Sequence, residues 1–260
     1  MSALAQALRV LAVGWIMQLK IVAVSAFDGI LGVIYPLFFA TCALLLFRQS
    51  GDPQALVYAG LGAAVMGTWS AIATSASMAL QGQRWHGTLE LLVTAPTRVA
   101  LAVLPITAAL STVGLYSLVA TLIWGRVLFG IEVQIASPLG FAAALVVTLA
   151  SLATFGFLLS VTVVRYRTGW ALGNLLEYPG WLLCGFFVPL SAFPDWVRWV
   201  ARALPPTWGM DAIRAASAGA DPWFDTGVCA ALGLGYAALA AVLSERLVDS
   251  ARRNATLALT

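Results

Sequence analysis

Ionisable chemistry is scarce in this sequence, and the scarcity excludes a good deal. Asp, Glu, Lys and Arg make up 10% of the 260 residues, against about 25% in an ordinary soluble domain. His86 is the one histidine and Lys20 the one lysine. A P-loop needs Gly-Lys-Ser/Thr to cradle phosphates, and Lys20 sits between Leu19 and Ile21, so that route to ATP hydrolysis is closed. An intramembrane serine protease needs a histidine base within the membrane, whereas His86 falls in a polar break between apolar runs. No Gly-x-Gly-Asp occurs for a membrane aspartyl protease, and no two acids face each other from one apolar run. Histidine-rich metal sites fall by count. Cys42, Cys184 and Cys229 stand inside apolar runs without metal-ligand spacing and read as small packing hydrophobes.

Hydrocarbon takes the place of charge: the chain is 61% hydrophobic with a mean hydropathy of +0.92. Six runs reach the ~20 residues that a bilayer core of ~30 Å demands: 27–47, 56–80, 99–123, 138–164, 168–190 and 226–243. None shows the polar–apolar alternation of a barrel strand. The expected fold is therefore all-α, a single membrane domain of six transmembrane helices, with Pro36, Pro105 and Pro179 inside spans, as membrane helices tolerate. Residues 1–26 place Ala3, Leu4, Ala7, Leu8, Leu11, Ala12 and Trp15 at helical spacing, with Gln6, Arg9 and Gln18 between. They read as an interfacial helix in the headgroup plane and not as a signal peptide. Asp28 reads as a cap at the start of the first span.

Charge placement orients the chain. With the N-terminus taken as cytoplasmic, Arg9, Lys20, Arg84, Arg98, Arg165, Arg167, Arg246, Arg252 and Arg253 fall inside, nine against Arg48, Arg126, Arg198, Arg202 and Arg214 outside. Cytoplasmic loops retain cations, so both termini are expected inside. The net charge of +3 is a topology signal and gives no reason to expect nucleic acid. Segment 81–98 then lies in the cytoplasm and 191–224 outside.

Two polar interruptions and one buried acid stand out. From Gln81 the chain reads QGQRWHGTLELLVTAP: Gly87 breaks, Thr88 can cap, Glu90 occupies a first turn where a carboxylate suits the helix dipole, and Pro96 ends the helix. The plain alternative is a capped turn with no further role. From Cys184 the chain reads CGFFVPLSAFPDWVRWVARALPPTWGMDAIRAA, which predicts two short amphipathic helices carrying Trp196, Trp199 and Trp208 at the outer headgroup level; an interfacial cap without a transport role fits the same residues. Glu177, between Asn174 and Pro179, lies mid-span, where a carboxylate turns to a bundle interior or an aqueous path. It reads equally as a pathway group and as a structural hydrogen-bonding one. Tyr35, Phe38, Phe39, Tyr178, Trp181, Phe186 and Phe187 can line a path or face lipid. Ala59, Gly60, Gly62, Ala63, Ala64 and Gly67 offer a close-packing surface, for a second chain or for this one.

Arg84-Trp85-His86-Gly87-Thr88-Leu89-Glu90-Leu91-Leu92 with Thr94-Ala95-Pro96 resembles the E-R-E-x-G-T-L-E-x-L-L-x-T-P stretch of ABC-2 type transporter permeases, with Gln83 replacing the first acid of that pattern. Gly185, Phe187, Pro189, Pro194, Trp196, Pro205, Thr207, Ala212 and Arg214 match the family's outer motif in order. The resemblance covers nearly the whole chain. It implies that Arg84, Trp85, His86, Gly87, Thr88, Leu89, Glu90, Leu92 and Pro96 form a coupling helix on an ATP-binding subunit. It further implies outward passage of substrate between two permease halves, for which Asn174, Glu177, Tyr178 and Phe187 are this chain's pathway candidates, and an outer motif at Pro189, Pro194, Trp196, Pro205, Thr207 and Arg214. The chain itself would bind no cofactor, with ATP and Mg held by two copies of the partner subunit. A second permease, identical or related, and the lipids of a bacterial inner membrane complete the expected surroundings. The size resembles the drug-resistance branch, whose cargo is amphipathic antibiotics or lipids; the polysaccharide-exporting branch is similar. A non-transporting membrane scaffold is the reading from another class.

Overall fold

The computed structural model describes residues 3–24, 26–49, 51–76, 82, 87, 99–163 and 169–254, and no strand occurs among them. Its helices are α1 Ala3–Val24, α2 Ala26–Arg48, α3 Pro53–Ala71, α4 Val99–Phe129, α5 Pro138–Val163, α6 Gly169–Leu183, α7 Asp195–Ala203, α8 Pro205–Ala218 and α9 Trp223–Asn254. A π-helical turn, Ile72–Ala76, continues α3, and a 3-10 turn, Leu190–Ala192, precedes α7. Local chemistry sets several ends. Asp52 accepts from the Gln54 amide with Pro53 at the first helical position, which satisfies an orphan donor and presets φ. Asp221 accepts from the Trp223 amide at the head of α9.

Five described segments are long and apolar enough to cross a bilayer: Ala5–Val24, Pro53–Ala76, Val99–Phe129, Pro138–Val163 and Trp223–Leu247. Four of these coincide with expected spans 56–80, 99–123, 138–164 and 226–243; α4 and α9 overrun theirs because backbone hydrogen bonding continues past the most apolar residues. α2 covers the expected 27–47. Two results differ from expectation. The first concerns α1, expected in the headgroup plane, which by length and composition alone is also a candidate span. It docks on α4, with Gly14 against Pro105 and the Trp15 indole donating to Thr112 Oγ1 at 3.1 Å. The second concerns α6, expected as span 168–190. Its last helical residue is Leu183, seven residues short of the expected end at 190.

The post around which the others pack is α3, buried at every position from Ala59 to Ser70. Its small residues are spent inside the chain: Gly62 lies under the Phe186 carbonyl, Gly67 against Ser117 and Pro36, and Thr68 against Gly114. The close-packing surface that two readings competed for therefore serves this chain's own bundle. Cys184 and Cys229 are buried as expected of small hydrophobes, and Cys42 is exposed.

A Cβ at position 62 would overlap the Phe186 carbonyl oxygen, whereas one at position 60 meets only Ile131 Cδ1 at 3.4 Å. Gly62→Ala should lower stability by about 1–3 kcal/mol through overpacking, while Gly60→Ala should be near neutral. Thermal unfolding of the detergent-purified protein checks the contrast.

Candidate functional site

The site lies where α6 stops. Gly185 takes φ +70, a conformation glycine adopts without Cβ strain, and the chain reverses through residues 184–188 over α3. Gly62, which that reversal touches, is nine residues past Pro53, so the reversal lies ~13 Å along α3 from the end where it begins. That end, shared by the starts of α3, α5 and α9, is called the cap end below. Backbone that leaves the helix at such depth must find partners within the protein.

Arg214 provides them. Its Nη1 donates to the Gly185 carbonyl at 2.8 Å, and its Nη2 to the carbonyls of Phe186 at 3.0 Å and Tyr58 at 3.4 Å. The guanidinium carbon sits 3.4 Å from the centroid of the Tyr58 ring, a cation–π contact. Tyr58 adds its own hydroxyl to the Gly185 carbonyl at 3.0 Å. One side chain and one ring thus close the reversal onto α3.

Arg214 reaches this point because α8 enters the bundle. Gly209 packs against Thr148, ten residues or ~15 Å into α5. The carbonyls of Ala216 and Ser217 accept from the Ser137 and Ala136 amides at the head of α5. α8 therefore climbs from mid-bundle to the cap end, with Pro205, Pro206, Thr207, Met210, Ala212, Ile213 and Ala216 buried. This corrects the expectation of two headgroup-level helices: the small apolar residues of α8 suit it to insertion, and only α7 keeps its tryptophans outside, with Trp196 71% and Trp199 77% exposed.

The outer-motif residues divide accordingly. Gly185 and Arg214, 29 residues apart, meet directly, and Thr207 Oγ1 donates to the Ala201 carbonyl at 2.7 Å. Pro205 is buried, while Pro189, Pro194 and Trp196 are exposed. The pathway candidates do not converge. Asn174 and Tyr178 are exposed on α6, Glu177 is buried, and Phe187 is half-buried against the main core. α3 holds the buried side of α6, through the Trp69 indole to the Glu177 carbonyl at 3.1 Å and the Trp181 indole to Ser70 Oγ at 3.1 Å.

Among the candidate aromatics, Phe38–Phe39–Trp181–Tyr178 make a chain of ring contacts with centroids 4.9 to 5.5 Å apart. Trp181 and Phe186 are buried in the core, and the Tyr35 side chain lies outside the described residues. So do Arg84, Trp85, His86, Thr88, Leu89, Glu90, Leu92 and Pro96; Gly87 is exposed at φ +68. Sequence reasoning missed Tyr58, Trp69 and Ser70. A tyrosine near the head of a span carries no mark of its partner 156 residues away.

Removing the guanidinium leaves buried carbonyls unpaired, and hydrogen bonds to charged groups contribute about 1.5–3 kcal/mol. Arg214→Gln should lose stability in that range and Tyr58→Phe about 1 kcal/mol. The double variant should lose more than the sum, because either group alone still donates to the Gly185 carbonyl and only the loss of both leaves it bare. Unfolding midpoints of the four proteins in one detergent test this.

The model of the ABC-2 type transporter family matches residues 9–217, from the first turns of α1 to the end of α8. No curated protein matches the chain. Four-fifths of the sequence is thus covered by a family of transmembrane subunits of ABC transporters, which generally work with an ATP-binding subunit, and its apolar helices are those of a multi-pass membrane protein. The chain belongs to the ABC-2 type transporter family.

Proposed function

We propose that this chain is the permease of an ATP-driven exporter. Two such chains, identical or related, pass an amphipathic drug-like or lipid-like molecule outward while two separate ATP-binding subunits supply the energy. The observation that carries this reading is the family match over residues 9–217, which takes in both the 84–96 stretch and the cap segment. The excess of Lys and Arg on one side supports cytoplasmic termini, so the cap end faces outward from the inner membrane.

In this reading Arg84, Trp85, His86, Gly87, Thr88, Leu89, Glu90, Leu92 and Pro96 form the surface on which the ATP-binding subunit rests. ATP and Mg are the partner's to hold. Gln83, standing where the family pattern has an acid, alters the charge of that surface and helps select the partner. Exposed Asn174 and Tyr178 stand among exposed Leu175, Leu182 and Phe38, an amphipathic surface suited to an amphipathic cargo. Glu177, 5% exposed, approaches from the buried side of the same helix.

Glu90→Arg should abolish ATP-dependent uptake of a fluorescent cationic amphiphile into inverted vesicles and lower recovery of the ATP-binding subunit on co-purification, while yield and unfolding midpoint of the permease stay unchanged. Uptake by vesicles that hold the permease with no ATP-binding subunit would overturn the proposal.

A further inference from the structure

At the end of the bundle opposite the cap, α9 packs beside the first turns of α4. Leu243 and Leu247 lie against the cluster of Val99, Val103, Phe157 and Val161. α9 nevertheless runs on to Asn254, seven residues past Leu247, so ~10 Å of helix continues beyond the last docked leucine. The chemistry changes at the same place. Between Trp223 and Leu243 the helix holds one charged side chain, Asp225, whereas Ser244 to Asn254 hold Glu245, Arg246, Asp249, Arg252 and Arg253. Glu245, Arg246 and Asp249 are exposed. The apolar stripe that docks α9, Ala240, Leu243 and Leu247, continues at helical spacing only into Ser250, Ala251 and Asn254, which have little to bury.

The bilayer does not reach this overhang. A core of ~30 Å takes ~20 residues, which counted from Trp223 end near Leu243, and one headgroup layer adds ~5–7 Å. Asn254 lies eleven residues past Leu243, ~16 Å along the helix, and so stands in water. Two turns of helix are marginal there on their own, and the single favourable i, i+4 spacing, Asp249 with Arg253, adds little. The stretch proposed to carry the ATP-binding subunit is close by. Pro96 is three residues before Val99, within ~11 Å of it by the reach of the chain, and Val99 belongs to the cluster that Leu243 and Leu247 touch. A soluble domain of ~200 residues has a radius of gyration of ~16 Å, so a subunit resting on 84–96 spans the distance to the overhang.

We propose that residues 245–254 of α9 are a second docking point for the ATP-binding subunit, where their mixed charge meets complementary charge on that subunit. The inference rests on the proposed reading of this chain as a permease worked by such a subunit. α9 lies outside the matched residues 9–217, so this contact can set which ATP-binding subunit a given permease accepts. It also ties the subunit to a helix that holds α5 through Gly233 against Ser151 and begins at the cap end.

The test uses the full chain co-expressed with the P-loop subunit that co-purifies with it. Asp249→Cys and Glu90→Cys are made separately in a Cys42→Ser background, since Cys184 and Cys229 are buried and take up little reagent. A benzophenone maleimide on either position should, on illumination, join the permease to the P-loop subunit. A stop codon after Leu247 keeps both docking leucines. It should lower recovery of the P-loop subunit and ATP-dependent uptake by inverted vesicles several-fold, at an unchanged unfolding midpoint. The pair Arg246→Glu and Asp249→Arg should act in the same direction, and serves if the shortened chain folds poorly. A cross-link from 90 with none from 249, or a shortened chain that recovers the subunit and transports in full, overturns this inference and leaves the permease reading standing. A label at 249 that joins only lipid overturns it as well, by placing the overhang among headgroups. Absence of cross-links from both positions overturns both readings.

Discussion

A helix that ends inside an apolar layer leaves carbonyl groups that lipid cannot satisfy, each costing several kcal/mol if left bare. α6 ends that way, and the Arg214–Tyr58 pair is the answer the fold gives. Much of the architecture follows from placing that one guanidinium. α8 must enter the bundle to carry it, which needs a small residue at Gly209 beside Thr148. α3 must come close enough to receive the reversal, which needs Gly62 beneath Phe186. The charge itself is admissible there because carbonyl oxygens and an aromatic face surround it.

The same constraint explains why α3 shows no spare surface. A helix of Ala and Gly in lipid ordinarily signals association with another helix through close backbone approach, and here the partners are the chain's own elements. Ser117 and Pro36 meet Gly67, Thr68 meets Gly114, and the Trp69 indole fills the space left by Gly180. Trp69 stacks on Phe155 and lies edge-on to Phe186, so the core around the reversal is aromatic and dense. In the proposed assembly, contact with a second permease would fall to faces that remain exposed, such as those of α2, α4 and α6.

What could be read in advance separates by the range of the interaction. The helices were legible because bilayer thickness imposes a run length on hydropathy; the caps at Asp52 and Asp221, which act over two residues, were not singled out. The early end of α6 was not legible, since Phe186, Phe187 and Val188 keep the run apolar while Gly185 ends the helix by conformation alone. The depth of α8 was hidden as well: its periodicity describes an amphipathic helix equally well on a surface or between other helices. In α7 the amphipathic pattern does show in the sequence. Gly185 and Arg214 were singled out as motif residues, but only the three-dimensional contact explains why the two belong to one motif.

α3 also bears on how motion could cross the protein. At the cap end it holds the reversal through Tyr58 and Gly62. At the other end it passes into the π-helical turn Ile72–Ala76, an irregularity often found at functional positions. That turn packs against Gly156 of α5, and its Ala76 carbonyl accepts from Ser160 Oγ. The chain then continues into the stretch proposed to meet the ATP-binding subunit. A displacement of that stretch acts first on the π-helical turn, and next on a helix buried along twelve consecutive positions. Such a helix cannot tilt alone; it shifts with the residues clasped to its far end. On the proposed reading, the signal from ATP reaches the cap by moving α3, the reversal and α8 as one body, and the Arg214 clasp keeps them together.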